Sequence, residues 1–252
     1  MHPDLELALE LADVADAITT ARFRASDLLV ETKPDLTPVS EADRAAEVAI
    51  RDVLARARPD DAVLGEEEGH VGESDRCWVL DPIDGTKNYV RGVPVWASLI
   101  ALEERGQPVV GLVSAPALGF RWWSAVGEGA FRNGDPIQVS KVRSINDAMV
   151  SYGDHELMAE LGRGAQFAAL LAASWRSRGY GDFWSHMLVA EGAVDVGLDP
   201  VAAHWDMAAI RAIVEAAGGQ FSSIDGDPSP AAGSGVSSNG LVHEAVLQVL
   251  ST

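Results

Sequence analysis

Apolar residues recur at three- and four-residue intervals from about residue 5 to residue 29, with Leu7, Leu11, Val14, Ile18, Ala25 and Leu28 on one stripe. This spacing predicts an amphipathic helix whose stripe faces a core. Lys33, Pro34, Asp35, Thr37 and Pro38 break the pattern, and Ser40-Glu41-Ala42-Asp43 then has the form of a capping box, Ser40 as N-cap and Asp43 three residues on. The helix opened there carries Ala46, Ile50, Val53, Leu54 and Ala57 on its apolar face and ends near Pro59. Short strand-like runs follow at 62–64, 77–80, 96–102, 108–114, 120–126 and 136–139, parted by Gly, Pro and Asn-Gly turns such as Asn133-Gly134. Beyond Asn146 the rhythm alternates: strands at 148–152, 175–180 and 194–198 with helices at 155–173, 182–192 and 205–217, then short strands at 221–224 and 236–238 and a closing helix at 241–250. The expectation is an α+β (α/β) chain in two intimate subdomains. Residues 1–143 form helices over a largely antiparallel sheet, and residues 144–252 form an α/β unit.

The segment Cys77-Trp78-Val79-Leu80 is apolar throughout and reads as a strand covered on both faces, which Asp81 ends. In Asp81-Pro82-Ile83-Asp84-Gly85-Thr86 the proline fixes its own φ and the glycine permits close approach of the backbone to a ligand, so two carboxylates converge from a rigid turn. Carboxylates held that way repel each other unless a cation lies between them, and hard oxygen donors suit Mg²⁺. Glu66, Glu67 and Glu68 follow the apolar run at 62–64 and offer acids at another strand end, although a solvated acidic face has the same pattern. His204-Trp205-Asp206 opens a helix, where an acid is also favoured by the helix dipole alone.

Composition narrows the partners. The chain has 252 residues, 47% of them hydrophobic, enough for a sizeable core without staples. Thirty-eight acids against 19 bases give a formal net charge of −19, which argues against nucleic acid and against an anionic membrane surface. A phosphate ester would then need bound cations to draw it in. Cys77 is the sole cysteine and reads as a small buried hydrophobe compatible with a reducing compartment. The first ten residues show no signal-peptide h-region and no run approaches the length of a bilayer span, so the protein is read as cytoplasmic. None of the six histidines has the spacing of a zinc site, which argues against a zinc hydrolase. The tryptophans at 96, 122, 123, 175, 184 and 205 are read as core or interface residues.

Glu66 within Gly-Glu-Glu, the segment from Asp81 to Thr86, and Trp205-Asp206-Met207-Ala208-Ala209 stand in the order and spacing of the inositol monophosphatase superfamily, which the chain resembles over nearly its whole length. The resemblance implies a layered αβαβα sandwich and a Mg²⁺-dependent phosphomonoesterase holding two or three ions per active site. It implies Glu66, Asp81, the Ile83 carbonyl, Asp84 and Asp206 as metal ligands, with Asp81 bridging two ions. Gly85 and Thr86 would hold the phosphate, and Glu66 and Thr86 would orient the attacking water with Asp43 bonded to Thr86. A homodimer and lithium inhibition are also implied. Lys33 resembles a lysine the superfamily carries near the site, and a solvated loop lysine is the other reading. The roles of Lys33 and Glu67 stay open.

Within that superfamily three segments are most similar to the bacterial histidinol-phosphate phosphatases: 32–39, 86–96 and Tyr180-Gly181-Asp182-Phe183. Inositol phosphatases usually have Gly-Thr-Ala at the third. Asp182 replaces a hydroxyl with a carboxylate, which suits the amine or imidazole of histidinol phosphate. Asn88 and Asp199 complete the expected substrate contacts. Asp182 also reads as an N-cap and Asp199-Pro200 as a turn. An inositol-1-phosphate phosphatase is the alternative substrate reading, and a non-catalytic metal or phosphate sensor is the alternative of another class.

Overall fold

The structure is a computed structural model describing residues 2–34 and 36–251; Asp35, assigned above to the break between the first two helices, lies outside the described residues. The first helix, α1 (Pro3–Arg22), buries Leu5, Leu7, Leu11 and Ala15 as the stripe requires. It ends seven residues short of the expected Leu29. Phe23 turns extended and drops its ring between Tyr89 and Trp96, at 5.4 and 5.3 Å between centroids, so a tertiary aromatic contact overrides the helical period. A short hairpin, β1 (Val30–Thr32) and β2 (Pro38–Ser40), which the pattern did not predict, leads to α2 (Glu41–Ala57). The capping box at Ser40 and Asp43 is present as expected.

The large sheet is built from β3 (Ala62–Gly65), β4 (Gly69–Val71), β5 (Arg76–Asp84), and, after the short helix α3 (Thr86–Val90), β6 (Ala97–Glu104), β7 (Gln107–Ala115), β8 (Phe120–Ala125), β9 (Gly129–Arg132) and β10 (Asp135–Ile137). Its spatial order is β10-β9-β8-β7-β6-β5-β3-β4, antiparallel except for the parallel pair β3 and β5. β9 was not predicted, and the expected run at 136–139 is shorter and begins one residue earlier. β5 fits the doubly covered strand: Trp78 and Leu80 pack with α1 and α2, Val79 packs on the other face, and each is at most 1% exposed.

The second sheet comprises β11 (Met149–Tyr152), then, past α4 (His155–Glu160) and α5 (Gly164–Ala173), β12 (Arg176–Arg178), and, past α6 (Asp182–Ala190), β13 (Val196–Asp199). After α7 (His204–Ala216) it takes β14 (Gln220–Ser222) and β15 (Gly235–Ser238), and α8 (His243–Ser251) closes the chain. The strand order is β12-β11-β13-β15-β14, with β11 parallel to both β12 and β13 and β15 antiparallel to its neighbours. One helix was expected over 155–173, but Gly162 at φ 75° ends the first turn set and splits it in two. Trp175 is 66% exposed and so is not a core residue, whereas Trp96 and Trp122 are fully buried.

Three apolar clusters define the layers. The first fills the space between α1, α2 and one face of the large sheet; the second lies between its other face and α6 with α7; the third joins the small sheet to α4, α5 and α8. The order is therefore helix, sheet, helix, sheet, helix, an αβαβα sandwich. α7 lies flush on β7 because Gly111 has no side chain: a Cβ there would stand 2.6 Å from Ala212 Cβ and 2.7 Å from the Ala209 carbonyl. Gly111→Ala is therefore expected to cost about 1–3 kcal/mol through overpacking under α7, read as a lower denaturant midpoint at unchanged m-value. An unaltered midpoint would show that α7 has slack on the sheet.

Candidate active site

Asp81 and Asp84 are three residues apart, and in a regular strand they would project to opposite faces. β5 instead carries an irregularity: Asp81 pairs with Leu99 and Asp84 with Ala97, so three steps on one strand match two on the other. The extra residue brings both carboxylates to the same side. Pro82, which has no amide to place, contributes its carbonyl to the Ser98 hydroxyl at 2.7 Å, and the Ile83 amide donates to Asp81 Oδ1 at 3.0 Å. The strand therefore continues through Asp84 rather than ending at Asp81. Gly85 follows at φ 82° and starts α3; a Cβ there would lie 2.9 Å from the Val95 carbonyl and 3.3 Å from Asp182 Oδ2.

Asp206 arrives from the first turn of α7, where its Oδ2 accepts the Ala203 amide at 2.7 Å. Asp81, Asp84 and Asp206 each bring a carboxylate oxygen into a group whose members all lie within 4.8 Å of one another. Burial, then the charges of Glu66, Asp84 and Asp206, push Asp81 well above the usual carboxylate range. Burial, Asp182 and Asp206 do the same to Asp84, and burial raises Asp206 to about 7. A cluster of hard oxygens that resist ionising together is a fit for a divalent cation, whose charge would offset the repulsion.

The other expected residues surround this group. Glu66 is adjacent to Asp81 because parallel pairing sets Gly65 opposite Leu80, but it stands outside the group of three; its Oε1 accepts Lys33 Nζ at 2.7 Å. Lys33 also donates to Glu67 at 2.6 Å, so it is ion-paired rather than a solvated loop lysine. Burial alone would lower the Lys33 ammonium, and the two glutamates outweigh it and hold it above its ordinary value. The Thr86 hydroxyl lies 2.9 Å from the Ile83 carbonyl and 3.3 Å from Asp43 Oδ1. Asp43 is fully buried, raised by that burial, and accepts the Ser40 amide at 2.9 Å.

A cavity of about 410 Å³ opens beside the acidic group, with Asp84, Asn88, Asp182, Asp199 and Asp206 in its wall. A second, of about 360 Å³ and lined by Thr37, Glu66, Gly85 and Thr86, shares Lys87, Asp182 and Asp206 with it. Asp182 is not an N-cap: Gly181 holds that position, and Asp182 begins α6 at φ 48°, its Oδ2 accepting the Asn88 amide at 2.9 Å. Burial and the neighbouring charge of Asp199 raise Asp182 to about 6. Both protons of the Asn88 amide are engaged, since it also donates to the Val95 carbonyl at 2.9 Å. Asp199 ends β13 with Oδ2 2.9 Å from His186 Nε2.

Two supporting residues escaped the sequence. Glu47 is fully buried on α2 and accepts the amides of Glu67 and Glu68 at 2.8 and 3.1 Å, fixing the turn that carries Glu66; a Cβ on Gly65 would overlap its carboxylate. His186 lies four residues after Asp182 on α6. That spacing was legible, whereas the contacts with Asp199 and β15 depend on the fold.

The family model for the inositol monophosphatase family matches residues 1–252. A histidinol-phosphatase of Streptomyces coelicolor is 54% identical over 256 residues, covering 98% of this chain and 96% of the relative. A histidinol-phosphatase of Mycobacterium tuberculosis is 52% identical over 252 residues, covering 98% and 97%. The solved structure of a Thermotoga maritima IMPase superposes with a TM-score of 0.89 at 31% identity, covering 99% of this chain and 97% of that one. The chain belongs to the inositol monophosphatase family. Its class is that of a hydrolase of phosphate monoesters, which sets aside the non-catalytic alternative. Among the described residues no helix is long and apolar enough to cross a membrane.

The raised carboxylates predict how the metal-free protein responds to pH. Asp182 and Asp206 bind protons more tightly folded, at about 6 and about 7, than unfolded, near 3.8. The native state therefore holds more protons than the unfolded state between those limits, and stability falls as pH rises from about 4 to about 7. Denaturant unfolding in chelator across that window checks the sign; a rise in stability would mean the carboxylates are already neutralised by protein groups.

Proposed function

We propose that the chain is a Mg²⁺-dependent phosphatase that hydrolyses L-histidinol phosphate to L-histidinol and phosphate, a step of histidine biosynthesis. Asp81, Asp84, Asp206, Glu66 and the Ile83 carbonyl are the residues that would hold the metal. When bound, Mg²⁺ supplies positive charge to the phosphate and the leaving oxygen and makes water acidic enough to attack near neutral pH. The rest of the chemistry is positioning. Thr86 and Glu66 orient the attacking water, and Asp43, tied to Ser40, fixes the Thr86 hydroxyl. Gly85 and Thr86 offer backbone amides to the phosphate at the start of α3. Phosphoryl transfer requires little more than such placement and charge stabilisation.

The observation that carries the substrate is the pair Asp182, half-buried, and Asp199, buried, two carboxylates in the wall of the larger cavity, beyond the acidic group. An uncharged polyol gives them nothing to balance. A protonated amine does, through charge-assisted hydrogen bonds. The names of the two relatives above 50% identity support the same substrate. We read residues 1–143 and 144–252 as two subdomains that meet at this site, and the assembly as a homodimer.

Asp84→Asn is expected to lower turnover at least about a hundred-fold by removing a charge the transition state depends on. The same change removes a repulsive carboxylate, so in chelator its thermal midpoint should equal or exceed that of the parent. Full activity in the variant, or undiminished activity of the parent in excess chelator, would end the metal assignment. Turnover of histidinol phosphate beside inositol 1-phosphate tests the substrate: the former should have the higher kcat/KM, and Asp182→Thr should shrink that preference. A wide margin for inositol 1-phosphate, or equal loss on both esters, would remove Asp182 from substrate recognition.

A further inference from the structure

We propose that His186 is a positioning residue for the substrate's cationic group: it holds Asp199 with one oxygen free toward the cavity and with the carboxylate's negative charge intact. This rests on the assignment of Asp199 to substrate recognition above. The His186 ring is fully buried between α6, β13 and β15. Its Nε2 lies 2.9 Å from Asp199 Oδ2 and its Nδ1 lies 2.7 Å from the Ser237 hydroxyl, which is also fully buried. Gly197 on β13 makes room for it, since a Cβ there would come within 3.2 Å of Nδ1 and 3.0 Å of the Ser185 carbonyl.

The hydrogen-bond inventory assigns the tautomer. If Nε2 carries the proton, it donates to Asp199 Oδ2, Ser237 donates to Nδ1, and both ring nitrogens and the buried hydroxyl have partners. If both nitrogens were protonated, Nδ1 would donate to the Ser237 oxygen, and among the described residues no other acceptor receives the hydroxyl proton. A buried donor left unpaired costs about 1–3 kcal/mol, so the arrangement favours the Nε2–H form. In that form the imidazole orients Asp199 without cancelling its charge. An imidazolium would cancel it and weaken the cavity's attraction for an amine.

The other oxygen is placed by a glycine. Asp199 Oδ1 sits against Gly153, where a Cβ would overlap it, and among the described residues no donor reaches that oxygen. Gly153 and Asp199 both line the larger cavity, as does Asp182. Asp199 is thus clamped between a ring on one side and a bare backbone on the other, with one oxygen left for a ligand donor. Asp182 is fixed in parallel by Asn88. Two independent braces thus hold two carboxylates in the wall of one cavity.

The test compares a cationic and an uncharged ester. In His186→Phe the ratio of kcat/KM for histidinol phosphate to that for 4-nitrophenyl phosphate is expected to fall about ten-fold, through KM rather than kcat, since a buried charged hydrogen bond is lost. His186→Gln, which returns an amide donor near the Nε2 position, should recover most of that ratio; a purely structural role would move both esters together and would not be rescued selectively. Nitrogen-15 NMR of the parent protein reads the tautomer without any variant, with Nε2 protonated and Nδ1 not. Where His186→Phe fails to fold, Gly153→Ala displaces Asp199 from the other side and should lower the same ratio. An unchanged ratio in a folded His186→Phe, or an imidazolium or Nδ1–H signal at neutral pH, overturns the proposal. A parent enzyme with no preference for the cationic ester overturns the substrate assignment and this proposal together, whereas a preference that survives His186→Phe overturns only the role of His186.

Discussion

Mutual repulsion among buried carboxylates is the constraint around which this molecule is arranged. Asp81, Asp84 and Asp206 are pressed within 4.8 Å of each other, with Glu66 at their edge and Asp182 and Asp199 just beyond. Like charges this close resist ionising together, and holding them ionised costs stability. Here it is tolerated because each acid is carried by an element that other forces secure: a bulge in a doubly covered strand, the first turn of a helix between two sheets, the end of a strand in the smaller sheet. A divalent cation bound among them would relieve that repulsion. Affinity for the proposed ion and the pH response expected of the metal-free form would therefore follow from the same geometry.

The same logic explains the division of labour in the cavity. On the proposed reading, one end gathers the acids that a metal would neutralise, and the other keeps Asp182 and Asp199 for the substrate. The proposed substrate, a phosphate monoester whose alcohol bears an amine, would meet both ends, anion to metal and ammonium to carboxylate. A strongly acidic surface, at a net charge of −19, does not conflict with an anionic substrate when the local field is inverted by bound cations.

Much of this was readable from the chain because it is local. The acid-rich turn from Asp81 to Thr86, the capping box at Ser40, the helix at Asp206 and the doubly apolar strand before Asp81 are each set by a few neighbouring residues. What the pattern missed was tertiary. The stripe of α1 continues in sequence past Arg22, but Phe23 gains more from Tyr89 and Trp96 than from another helical turn. Gly162 divides a helix whose apolar spacing gives no warning of it. Asp182 has the composition of a cap, yet Gly181 caps and the aspartate turns to Asn88, 94 residues away in sequence. Glu47 and His186 look like ordinary polar helix residues until the fold buries them.

The lone parallel pair in the large sheet has a consequence for how this architecture tolerates change. Because β3 and β5 run the same way, with Gly65 level with Leu80, their ends deliver Glu66 and Asp81 to one edge, and the chain must travel the length of the sheet between them. That return excursion, residues 69 to 75, starts at Gly69, paired with Gly65 beside the acids, and runs away from them to the start of β5 at Arg76. Its far portion is therefore free to lengthen or shorten without disturbing the acids, while a single inserted residue inside β5 would swing every side chain after it to the opposite face. Indels and registry are thus decoupled: the molecule is permissive at one end of the sheet and unforgiving at the other.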